Sequence, residues 1–184
     1  LAWQPVAADR DLVLAAAAIT VILSMGLRSS FGLFLRPMSA DLGWGREIFA
    51  FGMALQNLLW GVFQPVAGAI ADRFGAGRAI AGGGVLYALG LYVMSTTSSP
   101  QDFHLSAGLL IGMAQSGAGL SVVLGAAGRV FPEERRSWAL GVITAAASLG
   151  QFSIVPLGQA FLSTYGWQFS FLLLGIIALL IIPM

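Results

Sequence analysis

Residues 23–35, LSMGLRSSFGLFL, set Arg28 in an apolar run, 12–35, that carries no other charge. A guanidinium stays charged and offers five N–H donors, so in apolar surroundings it needs an acceptor. At the centre of a bilayer it costs about 2.5–3.5 kcal/mol on insertion scales. Arg36 marks the outer boundary of the run, which puts Arg28 about 12 Å deeper along a helix. Thr20, Ser24 and Arg28 recur every fourth residue and would form a narrow polar stripe on one helix face. Three readings are open. The long stem can carry the charge outward to the headgroups. The charge can bond carbonyls exposed near the glycines of MGL and FGL. Or it can meet an anion. No Asp or Glu falls inside any apolar run delimited below, so an anionic partner is either an acid from outside this chain or a solute.

Other chemistry is sparse. His104 is the single histidine, at the mouth of the fourth run, and reads as a surface residue. There is no cysteine, which excludes disulfides and thiolate metal sites. No Gly-Lys-Ser/Thr phosphate loop and no clustered metal ligands occur. Neither an enzyme nor a bound cofactor is expected. A net charge of +1 without lysine gives no basic field for nucleic acid.

The elements that would position Arg28 follow from composition. Of the 184 residues, 58% are hydrophobic and 9% charged, against about a quarter charged in soluble domains. Mean hydropathy is +0.86. Continuous apolar runs rather than alternation point to an all-α membrane protein. Six transmembrane helices are expected at about 12–35, 48–71, 79–97, 103–127, 138–162 and 169–184. The breaks fall at RPMSADLGWGRE, DRFGAGR, SSPQD, RVFPEERRS and STYGWQ. The first run is much longer than a signal-peptide core and reads as an uncleaved span.

Arg10, Arg73, Arg78, Arg129, Arg135 and Arg136 fall on one side of such a bundle, and Arg36 and Arg46 on the other. The bias makes both ends of this segment cytoplasmic. Pro65 precedes Gly75 by ten residues, and Pro156 precedes Gly166 by ten. The matched spacing is compatible with an inverted three-plus-three repeat, and equally with shared helix-end chemistry.

The loop GAIADRFGAGR, 68–78, is the most specific local signal. Gly68 would admit a neighbouring helix, and Gly75 and Gly77 would permit positive φ in a tight turn. Its pattern resembles the signature loop of the major facilitator superfamily, matched at Gly68, Asp72, Arg73, Gly75 and Arg78. FPEERRSWALG after the fourth run and GW at 43–44 and 166–167 agree with it. The resemblance implies a twelve-helix fold of two bundles, of which this chain is the N-terminal one and the C-terminal bundle is absent from it. It implies that Asp72 and Arg73 latch the two bundles when the cytoplasmic side is closed. It also implies a central cavity bordered by the first, second, fourth and fifth helices. The polar candidates there are Arg28 and Ser24, Gln56 and Asn57, Gln115, and Thr144, Ser148 and Gln151. Trp60 and the phenylalanines read as packing.

LRSSFGLFLRPM is similar to the end of the first helix in the monocarboxylate transporter and oxalate/formate antiporter branch. There a lysine occupies about the Arg28 position. The implied function is secondary active transport of a small organic anion, a monocarboxylate, by alternating access. With no membrane acid here, a proton carrier would sit in the other bundle, or exchange would run without protons. Two alternatives are export of drugs or other small solutes, and a receptor or sensor that moves nothing. The expected place is the inner (plasma) membrane of a bacterium, with lipid, a small anion and the second bundle as partners.

Overall fold

The computed structural model describes residues 7–184, which are helical apart from short turns. Helix α1 is Ala7–Leu42, α2 is Arg46–Phe74 and α3 is Ala76–Ser95. Helix α4, Pro100–Val130, contains a π-helical stretch, His104–Leu110, and a break at Gly119. The last helical segment, Glu133–Ala178, is turned at Gly166, where φ is 76° and ψ is 176°. We denote residues 133–165 α5 and residues 167–178 α6; a short 3-10 turn, Leu179–Ile181, follows. Among the described residues, four stretches are long and apolar enough to cross a membrane: Arg10–Leu42, Ala76–Ser95, Pro100–Val130 and Glu133–Ile181. Helix α2 has the length but falls short in mean hydropathy, which Gln56, Asn57 and Gln64 lower.

The expected breaks shrink. Helix α1 runs through Arg36 and Pro37 to Leu42, so Arg36 lies inside the helix rather than at its end. The turn from α2 to α3 is Gly75 alone, at φ 92°, and Gly77 sits within the first turn of α3. Positive φ in that loop is therefore needed at Gly75 and not at Gly77. At the start of α4, Ser99 and Asp102 form a reciprocal capping box, each side chain accepting from the other's backbone N–H at 3.2 Å.

Helix α1 packs chiefly along α5 and α6, and α3 along α4. Small residues let the backbones approach, as expected for helices in lipid. A β-carbon on Gly26 of α1 would lie 2.6 Å from the Gly150 carbonyl oxygen of α5. On Gly83 of α3 it would lie 2.5 Å from the Ala118 backbone nitrogen of α4. Near the α1–α6 end, Phe34 and Phe171 rings sit 4.2 Å apart, and Trp167 Nε1 donates to Asp41 at 2.8 Å. These contacts fix the face that α1 turns toward α2.

Candidate functional site

Arg28 lies between α1 and α2, half-buried. Its Nη2 donates to Asn57 Oδ1 at 2.6 Å. Asn57 is set by its own amide, which donates to the Met53 carbonyl one turn earlier at 2.8 Å. The guanidinium carbon stands 5.0 Å from the centre of the Trp60 ring, within cation–π range. Asn57 and Trp60 are three residues apart on α2, so one helix face supplies both contacts. The arginine is thus held on a neighbouring helix. Its hydrogen bond goes to a side-chain amide rather than to a backbone carbonyl. Its Nε is buried without a partner. The single salt bridge among the described residues lies elsewhere, so no carboxylate neutralises Arg28.

Behind Arg28 is a buried polar cluster. Gln115 Nε2 donates to the Ser24 carbonyl at 3.2 Å and to Tyr87 Oη at 3.1 Å. Tyr87 Oη donates to the same carbonyl at 3.3 Å. Ser24 and Thr20 are fully buried, so the stripe that ends at Arg28 turns into the bundle along most of its length. Thr20 Oγ1, Ser24 Oγ, Gln56 Nε2 and Gln115 Oε1 have no partner, nor does Trp60 Nε1. Unpaired buried groups of this kind each cost about 1–3 kcal/mol and mark a place that water or a ligand can complete.

The sequence candidates therefore divide. Arg28 and Asn57 touch each other, with Trp60, read from sequence as packing, on the guanidinium face. Ser24 and Gln115 join directly, and both also bond Tyr87, which sequence reasoning missed. Gln56 is buried on α2, and neither its side chain nor Gln151 bonds Arg28. Thr144, Ser148 and Gln151 lie exposed along α5, where Thr144 bonds only the Leu140 carbonyl, 2.8 Å away. His104 is not a plain surface residue. Its Nε2 is 3.0 Å from the Ile48 carbonyl, and its ring meets Phe51 edge-on at 4.9 Å. Three apolar recesses of about 310, 400 and 480 Å³ lie elsewhere, and Arg28 lines none of them. Its site is an open wall: a guanidinium with spare donors beside the exposed Asn57, able to grip a carboxylate through two parallel hydrogen bonds.

The contacts of the signature loop seen here lie within this bundle. Asp72 accepts a 2.6 Å hydrogen bond from Arg129 Nη1, at the end of α4. Arg129 Nε also donates to the Gly125 carbonyl at 3.2 Å. Asp72 is thus tied within this bundle, by an arginine that the sequence offered only as a topology signal. Arg73 lies over the Phe74 ring at 5.3 Å, and Arg78 is exposed. A β-carbon on Gly68 would meet nothing within 4 Å, so no helix of this bundle makes the close approach expected there.

Residues 17–184 match the Major Facilitator Superfamily. An uncharacterized MFS-type transporter of Escherichia coli K12, YhjX, is 33% identical over 170 residues, covering 89% of this chain and 40% of that protein. Monocarboxylate transporter 13 of Bos taurus is 32% identical, covering 91% of this chain and 39% of its own length. Monocarboxylate transporter 11 of Mus musculus is 34% identical, covering 93% and 38%. The chain thus spans about 40% of the length of these relatives.

Proposed function

Since the chain belongs to the major facilitator superfamily, a family of membrane transporters and not of enzymes, we propose that it forms the first of two bundles of a secondary transporter for a small organic anion. The favoured solute is a monocarboxylate. Arg28 receives its carboxylate, and alternating access moves it. The observation that carries this is the guanidinium positioned by Asn57 and Trp60 with no acid beside it. The two monocarboxylate transporters among the relatives point to the same solute class. Asn57 uses its oxygen to aim one edge of Arg28, leaving the N–H groups of Nη1 for the solute. Ser24 and Gln115 buttress the wall from behind.

Six spans complete this reading, with α2 as the least apolar and Gly166 separating the last two. Gly75 and Gly166 each follow a proline by ten residues and each adopt positive φ, 92° and 76°, which supports an inverted repeat. The arginine bias keeps both ends of the segment on the cytoplasmic side of a plasma membrane. Counterflow uptake by the complete protein in proteoliposomes, with labelled monocarboxylates and neutral solutes, tests the activity. Carboxylate exchange with little neutral flux is expected; exchange of neutral solutes alone rejects the assignment.

The Asp72–Arg129 pair joins the ends of α2 and α4 on the arginine-rich face. As an exposed pair it is worth about 0.2–1 kcal/mol, too little to hold the fold but enough to bias two conformations. Asp72→Asn and Arg129→Gln are each expected to shift labelling between the two faces of the complete protein by up to about fivefold. The double variant should shift it no further. Unchanged labelling in both single variants removes the latch role.

A further inference from the structure

We propose that the recess between α2 and α3 holds one acyl chain of an anionic phospholipid whose headgroup rests on Arg78. The recess, about 400 Å³, is walled by Phe63, Val66 and Ile70 of α2 and by Gly82 and Val85 of α3, with Arg78 at its mouth. Seven residues separate Phe63 from Ile70 and seven separate Arg78 from Val85. It therefore runs about 10 Å along both antiparallel helices, inward from the Gly75 turn. Val66 and Val85 are half-exposed apolar side chains, at 50% and 51%, so this wall is open at the surface of the bundle.

Lipid tails are as apolar as leucine, so an apolar groove alone gives no preference among lipids. The cation at its mouth does. Arg78 makes no ion pair among the described residues, and Asp72, the nearest acid in sequence, is occupied by Arg129. An arginine near the membrane surface attracts an anionic headgroup by about 1 kcal/mol. The groove is open because residue 82 is glycine: a β-carbon there would meet nothing within 4 Å. A second bundle is the weaker occupant. Gly68, the α2 position suited to a close helix, lies about 200° around the axis from Val66.

The test is native mass spectrometry of the complete protein with phosphatidylglycerol or phosphatidylcholine of identical chains. The wild type is expected to retain one phosphatidylglycerol about fivefold more than phosphatidylcholine. Arg78→Gln should abolish that preference while leaving phosphatidylcholine retention unchanged. Gly82→Leu should lower retention of both lipids with an unchanged unfolding midpoint, because its side chain enters open space. Three results overturn the proposal: equal retention by the wild type, a preference that survives Arg78→Gln, or a Gly82→Leu protein that keeps both lipids. A Gly82→Leu protein that unfolds early would also overturn it, by showing that another helix fills the groove.

Discussion

Arg28→Gln is expected to cut carboxylate counterflow by the complete protein roughly 10- to 150-fold. A hydrogen bond to a charged group contributes about 1.5–3 kcal/mol, and every 1.4 kcal/mol is tenfold in affinity. Glutamine keeps two donors and part of the stem but loses the charge and with it the cation over Trp60. Arg28→Lys should fall between the two, since an ammonium attracts the anion without the planar fork that places two parallel bonds. Initial rates across a concentration series read the effect. If glutamine matches the native rate, the anion does not meet residue 28.

The second large effect is on the fold. Gly150→Leu is expected to destabilise the bundle by about 1–3 kcal/mol or more, the usual cost of overpacking. A β-carbon at Gly150 would lie 2.7 Å from Ile22 Cα and against its carbonyl oxygen. The obstruction is backbone, so α1 and α5 must separate, and the face that carries Arg28 moves with them. Gly141→Leu is the control on the same helix, because a β-carbon there meets nothing within 4 Å. Thermal unfolding in detergent should show an early midpoint for the Gly150 variant alone. Equal midpoints would mean that the α1–α5 seam yields at little cost.

Much of this was readable in the sequence. Runs of apolar residues longer than a membrane is thick leave helices as the structure that satisfies the backbone, and the helices are where those runs lie. Arg28 stood out because its surroundings cannot solvate it. Gly75 stood out because a turn that short needs positive φ. The boundaries were less legible. Helix α1 continues six residues past Arg36 because Pro37, ordinarily a helix breaker, is accommodated within it, and Gly43, at φ 66°, supplies the turn. Partners distant in the chain were not legible at all. Asp72 meets Arg129 across 57 residues, and Gln115 reaches the Ser24 carbonyl across 91. Helical periodicity says which face a residue occupies but not which helix lies opposite. Trp60 was undervalued because an aromatic in a membrane helix usually packs, whereas here its ring face carries a cation.

Titration calorimetry compares most directly how the native protein and Arg28→Gln distinguish a small monocarboxylate from its neutral amide of the same shape. The two ligands differ almost solely in the charge presented to residue 28. The native protein should bind the carboxylate at least about tenfold tighter than the amide, and the variant should bind both alike. A variant that still prefers the carboxylate by the native margin would place the anion site elsewhere in the transporter.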